Sequence, residues 1–209
     1  MDRDLIDPKS HRQLFLDDHA VAKTTGVERT LHQPDDCGAI IRPDQTLGQR
    51  GTQTSSVPQW NSEKNLWEWW YYAHQIDGSP SVLLYSTSED GANWENPELG
   101  LHEWRGTRKN NLALASGSEH MAHIIRDETD SDPQRRYKAL FGSNGRKPAV
   151  SPDGFQWTML DVPPVPSADT SCFTYDDIGE QYVLTVKHGT KWGRSVWLST
   201  AKVFGDFSE

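Results

Sequence analysis

The sequence lacks most of what would mark a metal, membrane or nucleic-acid protein. It has two cysteines, Cys37 and Cys172, far apart and without the paired spacing of a zinc site, so two ordinary thiols are expected. His32, His74, His123 and His188 show no close ligand spacing, and no metal site or cofactor is expected. No apolar stretch approaches the roughly 18 to 20 residues of a membrane span, which excludes a helical anchor within these residues. The start, MDRDLIDPKSHRQ, lacks the apolar segment of a signal peptide; the expectation is a cytoplasmic protein, or an exported one if the start is clipped. Lys plus Arg number 21 against 30 for Asp plus Glu, and no basic run could track a phosphate backbone, so nucleic acid is excluded as a partner. Sustained apolar periodicity near 3.6 residues is also missing, and 16 Gly and 12 Pro interrupt every long segment. The chain reads as all β.

What is present is aromatic: nine Trp, six Tyr and six Phe among 209 residues. These rings are expected to fill a core between sheets, although tryptophan faces also suit sugar rings. The segments WEWWYYAHQ (67–75) and SVLLYSTS (81–88), separated by IDGSP, carry a hairpin signature. AHIIRD (122–127) and RYKALFG (136–142) repeat it around a polar loop, followed by KPAVSPDG. A third round runs through SADTSCFTYDD (167–177), QYVLTVKHG (181–189) and SVWLSTAKVFGDF (195–207).

Each round closes on a similar turn. SEDGANW (88–94) returns as SPDGFQW (151–157), and the third is read at Gly205-Asp206-Phe207. Asp-Gly supplies a tight turn, Asp and Ser can hydrogen-bond amides inside it, and the Trp pins it to the sheet. The pattern resembles the Asp box of sialidase-type propellers, with Ser88, Asp90, Gly91 and Trp94 matching, then Ser151, Asp153, Gly154 and Trp157. Such boxes lie away from the ligand face, so these residues are read as structural. Strand units at a fixed period read as β-propeller blades. Three are recognisable, about 51–110, 111–165 and 166–209, after an N-terminal arm and first strands over 1–50. Since propellers close with four or more blades, the expectation is a single domain forming the front part of a five-bladed propeller, with open sheet edges that offer a route to oligomers.

Beyond the turns, the ordered series RQLFLDDHAV (12–21), WWYYAH, SEDGANWENPELGL, KNNLAL (109–114), RRYKAL (135–140), SPDGFQW and SADTSCFTYDD resembles bacterial, planctomycete-type five-bladed propeller proteins. Those are similar to glycoside hydrolases of the invertase, levansucrase and arabinanase type. The resemblance implies a carbohydrate partner and a funnel where the innermost strands converge, with carboxylates from different blades around one sugar. Glycoside cleavage needs such a pair, one carboxyl to protonate the leaving oxygen and one to attack or to activate water.

The first strand of each blade lies nearest the axis. In the third, Asp169 with Thr170 matches the Asp-Thr signature of that group; in the second, Glu119 and His120 stand at the start and Arg126 with Asp127 at the end. The first inner strand, TQTSSVPQW (52–60), has no carboxylate, which departs from the pattern. Asp44, or Asp17 and Asp18 in LFLDD, are the candidates to replace it. The expected catalytic set is Asp169, Glu119 and Asp18, with Thr170, His120 and Arg126 binding substrate. Two readings stand: a glycoside hydrolase-like enzyme, or a propeller that binds a carbohydrate or protein without chemistry. The missing first-blade acid favours the second and the Asp-Thr pair the first.

Overall fold

The computed structural model describes residues 17–18, 21–115, 122–169 and 171–207. The chain divides into two compact units, residues 1–37 and 38–209. In the first, the guanidinium of Arg29 holds Asp18 at 2.5 Å.

The second unit is built from antiparallel strands in chain order, one blade after another. Blade 1 holds β1 (Gln49–Gln53), β2 (Gln59–Asn61), β3 (Leu66–Gln75), β4 (Val82–Ser88) and β5 (Leu112–Leu114). β1 and β2 both pair with β3, on its two halves, so they form one inner strand broken at residues 54–58. Blade 2 is a four-strand meander of β6 (Ala122–Arg126), β7 (Tyr137–Phe141), β8 (Lys147–Ser151) and β9 (Thr158–Met159). Blade 3 contributes β10 (Phe173–Asp176), β11 (Gln181–Thr190) and β12 (Gly193–Ala201). The described elements are therefore all β, apart from short 3₁₀ turns at Gln45–Leu47 and Pro133–Arg135. No helix among the described residues is long and apolar enough to cross a membrane. Cys37 and Cys172 are free and exposed.

Burial along the second strand of each blade records what covers it. β7 is buried throughout and β3 over most of its length because both faces of their sheets are packed, and their aromatic residues suit such positions. β11 alternates instead, with Tyr182, Leu184 and Val186 buried and the residues between them part-exposed. Those three side chains meet Ile125, Leu140 and Val150 of blade 2. Among the described residues no strand pairs with the outer edge of β12, where Val196, Trp197 and Leu198 are exposed.

The junction of blades 1 and 2 is aromatic. Trp70 is fully buried, with ring centroids of Tyr85 at 5.0 Å and Tyr137 at 5.5 Å, in tilted and edge-on arrangements. Such pairs add about 0.5–1.5 kcal/mol each beyond the burial of their area. Gly154 passes so close that a Cβ there would stand 2.5 Å from the Trp70 ring.

The two matching turns have one geometry. Ser88 Oγ accepts from the Gly91 amide at 2.9 Å, and Asp90 Oδ1 accepts from Ala92 and Asn93 at 2.9 and 2.7 Å. Ser151 Oγ accepts from Gly154 at 2.9 Å, and Asp153 Oδ1 from Phe155 and Gln156 at 2.9 and 2.8 Å. Gly91 and Gly154 both take positive φ, 77° and 81°. The third turn differs from the sequence expectation. Register places Ser88 opposite Trp67, Ser151 opposite Tyr137 and Ala201 opposite Tyr182. Ala201 therefore stands in the serine position, Val203 in the aspartate position and Phe207 in that of the tryptophan. Phe207 keeps the anchoring role by packing against Phe173 and Phe204, whereas Asp206 is offset from the aspartates of the first two turns.

Candidate functional site

The same register defines the opposite end of the blades. Counting forward from Trp67, Tyr137 and Tyr182, the residues Tyr72, Gly142 and Lys187 occupy equivalent places near the ends of the second strands. The Ser-x-Asp-Gly turns lie at the starts of those strands. The inner strands enter beside these strand ends, and here the chain gathers Ser55, Tyr72, His123, Arg146, Asp169 and Lys187.

Blades 1 and 2 are joined at this end by side chains. Ser56 Oγ donates to the Ala122 carbonyl at 2.8 Å and accepts from the Ile124 amide at 2.9 Å. His123, fully buried on β6, has Nδ1 2.9 Å from the Ser55 carbonyl. A carbonyl only accepts, so Nδ1 carries the proton and Nε2 presents a lone pair. That Nε2 is buried and has no hydrogen-bond partner among the described residues. Burial pushes the His123 pKa down to about 4, with the nearby positive charge of Arg146 adding to the shift. The imidazole is neutral at physiological pH.

Asp169 enters blade 3 in the left-handed region, at φ 54°. For a non-glycine residue this conformation is uncommon, although Asp tolerates it better than most. Both of its backbone groups are held: its amide donates to Ser143 O at 2.8 Å, and its carbonyl accepts from Arg146 Nη2. The carboxylate, more than half exposed, forms an ion pair with Lys187 Nζ. Lys187, first by its hydrogen bond and then by its charge, lowers the Asp169 pKa, with further help from Arg194 and Arg146. Asp169 is an ionised, surface-presented acid on a backbone fixed from two sides.

Arg146 is the buried cation behind it. It precedes β8, and its backbone bridges Val165 through hydrogen bonds of 2.8 and 2.9 Å. Its guanidinium donates to Gly142 O, Asp169 O and Ser171 Oγ, the last at 3.1–3.2 Å. Among the described residues no carboxylate reaches it within ion-pair distance, and burial lowers its pKa from the ordinary arginine value.

The remaining sequence candidates are distributed differently. Glu119, His120 and Thr170 lie outside the described residues. Asp18 belongs to the 1–37 unit, exposed and paired with Arg29. Asp44, the alternative first-blade acid, caps the 3₁₀ turn by accepting from the amide and hydroxyl of Thr46 at 2.8 and 2.6 Å. Arg126 ends β6, at the other end of that strand from Ala122. Its guanidinium meets Glu63 at 3.0 Å, Glu128 at 3.1 Å and the Tyr137 hydroxyl at 3.3 Å. Protein groups thus engage Nε, Nη1 and Nη2 of Arg126.

Sequence reasoning named Asp127 beside Arg126 without giving it a role and did not single out Glu68; both acids are buried. Glu68 Oε2 accepts from Tyr137 at 2.6 Å and Oε1 from Tyr85 at 2.7 Å and Lys64 at 2.9 Å. Burial would raise the Glu68 pKa, but these hydrogen bonds outweigh it and leave the acid below its ordinary value. Asp127 follows the same rule with Thr129, Tyr182 and the buried Lys138. A glutamate inside LWEWWYY is the visible signal in the first case; Arg146, in a hairpin reading GSNGRKP, leaves none. No group of three or more His, Cys, Asp and Glu residues suited to a metal ion occurs among the described residues.

No protein-family model matches the sequence, and no curated protein matches it. Among solved structures the chain is similar to an N-acetylgalactosamine deacetylase from F. plautii in complex with blood group B trisaccharide. Identity is 14% and the TM-score 0.48, over 69% of this chain and 48% of that one. It is also similar to a glycoside hydrolase, at 13% identity and TM-score 0.49 over 76% and 55% of the two chains. A third likeness is to the GH43 endo-arabinanase from Bacillus licheniformis, at 12% identity and TM-score 0.42 over 72% and 52%. The chain spans about half the length of these solved structures.

Proposed function

We propose that the chain forms the acid-bearing part of a glycoside hydrolase-like propeller, acting on a carbohydrate where its inner strands begin. The observation that carries this reading is Asp169: an ionised carboxylate, exposed at the blade entry, on a left-handed backbone fixed by Ser143 and Arg146. Strained, over-determined conformations of this kind cluster at functional sites. An acid kept ionised suits the nucleophile or base of glycoside cleavage rather than the proton donor. Glu119, which precedes β6 in sequence, is the proposed donor, with Thr170 and His120 as substrate contacts. Asp18 is kept as a third acid on sequence grounds alone. The paired Ser-x-Asp-Gly turns are assigned as Asp boxes, structural elements at the end of the blades away from the site.

A second reading is favoured by a separate observation. The first inner strand offers Thr54, Ser55 and Ser56 at the site and no carboxylate, and Lys187 already occupies Asp169. In that reading the funnel binds a sugar without cleaving it.

A panel of aryl glycosides and plant and bacterial polysaccharides, read for reducing-end release and for tryptophan fluorescence change, separates the two. Release supports the enzyme, and binding without release supports the second reading. If no sugar is bound or cleaved, both are overturned.

A further inference from the structure

We propose that Arg146 is a positioning residue for Asp169, holding the carboxylate in place through the backbone and two serines. This inference rests on the reading of Asp169 as the site acid.

The contacts form a closed ring. Arg146 donates to the Asp169 carbonyl and to Ser171 Oγ. Ser171 Oγ lies 3.0 Å from Ser167 Oγ, which accepts from the Lys187 amide at 3.1 Å. The Ala168 amide donates to the Lys187 carbonyl at 3.1 Å, and Lys187 Nζ returns to the Asp169 carboxylate. The guanidinium therefore sets the left-handed turn at one point of the ring, and Lys187 receives the side chain at another. Arg146 itself is fully buried, so substrate reaches Asp169 without touching it. A third donor, to Gly142 O, ties the ring to the end of β7, at the place equivalent to Tyr72 and Lys187. The planar guanidinium holds its donors in a fixed fork that spans two carbonyls and a hydroxyl; a lysine ammonium in its place keeps the charge but gathers its donors at one point and loses the fork.

Removing that fork frees the turn. Asp169 then relaxes from φ 54° towards the ordinary regions and its carboxylate leaves Lys187. Among the described residues, the charged and titratable groups around that carboxylate are Lys187 on β11, Arg194 on β12, Arg146 before β8 and Tyr72 on β3. Lys187 dominates them, so geometry, rather than the count of charges, fixes the titration of Asp169.

The test is carboxyl ¹³C NMR on the full chain labelled at aspartate Cγ, with the Asp169 signal identified by its loss in Asp169→Asn. Arg146→Lys preserves the charge, so its effect reports position. The titration midpoint of Asp169 is expected to rise by about half a unit or more, and turnover on any substrate cleaved by the wild type to fall about tenfold or more with KM little changed. A folded Arg146→Lys variant with an unchanged midpoint overturns the proposal. Ser171→Ala, which opens the ring at a small hydroxyl, is read in the same way with a smaller rise expected, and serves if Arg146→Lys does not melt cooperatively. The titration needs no substrate. An unchanged midpoint sinks the positioning role with the functional reading intact, and full turnover in Asp169→Asn sinks the functional reading while the titration still judges the ring.

Discussion

The hydroxyl of Tyr137 donates to the Glu68 carboxylate at 2.6 Å across the junction of blades 1 and 2, and Tyr182 repeats the relation with Asp127 at 2.5 Å across the next junction. Tyr137 and Tyr182 hold equivalent places in their blades, so one device is used twice: a buried acid on one blade, a tyrosine from the next. Burial pushes both phenols well above their ordinary pKa, and the adjacent carboxylate adds to the rise; they stay protonated donors at every working pH.

Removing one donor leaves a buried carboxylate short of a charge-assisted hydrogen bond. Tyr137→Phe is expected to lower stability by about 2–3 kcal/mol, and Tyr182→Phe by a similar amount, in urea unfolding followed by tryptophan fluorescence. Losses below about 0.5 kcal/mol, the range of an ordinary surface change, would mean that the pairs do not tie the blades together.

The two glycines of the matching turns should separate sharply. Both have positive φ, but a Cβ on Gly154 would meet the Trp70 ring at 2.5 Å, whereas one on Gly91 stands 3.7 Å from Trp67. Gly91→Ala is expected to cost about 1 kcal/mol from backbone strain alone. Gly154→Ala adds displacement of a fully buried indole and should cost about 2–4 kcal/mol. Equal melting temperatures for the two variants would contradict the packing of Trp70 on that turn.

His123 gives the fold a pH dependence of definite sign. Its pKa falls from 6.5 to about 4 on folding, chiefly through burial. The unfolded chain therefore takes up a proton on acidification before the folded one can. The contribution of His123 is complete above pH 6.5 and is lost as pH falls from 6.5 to 4, by about 3 kcal/mol in all. Removing the titrating group in His123→Gln should flatten that part of the stability curve. Identical slopes for the two proteins between pH 6.5 and 4 would show that the imidazole is solvated in the folded state.

The blades were legible because their signals are local. Runs rich in aromatic and β-branched residues, Asp-Gly turns and a following Trp each act within a few residues, and the same grammar recurs. The third turn was read out of register because Gly205-Asp206 imitates the earlier pairs, while the strand pairing that makes Ala201 the counterpart of Ser151 is visible only in the sheet. Asp169 stood out by its place at a strand entry. Arg146 and Glu68 did not, and Asp127 drew notice only as the neighbour of Arg126, because the burial of a charge is decided by what packs on it, and Glu68 meets Tyr137 across 69 residues of chain.

The most direct test of the proposed activity is the turnover of Asp169→Asn on any glycoside that the wild-type chain is found to hydrolyse, beside its thermal melt. Asparagine keeps the size of the side chain and its tolerance of the left-handed turn, so folding should persist. If the carboxylate acts on the bond being cleaved, kcat falls by about a thousandfold or more while the melting transition stays cooperative. Turnover within a few fold of wild type would contradict the assignment of Asp169 and leave the funnel a binding surface.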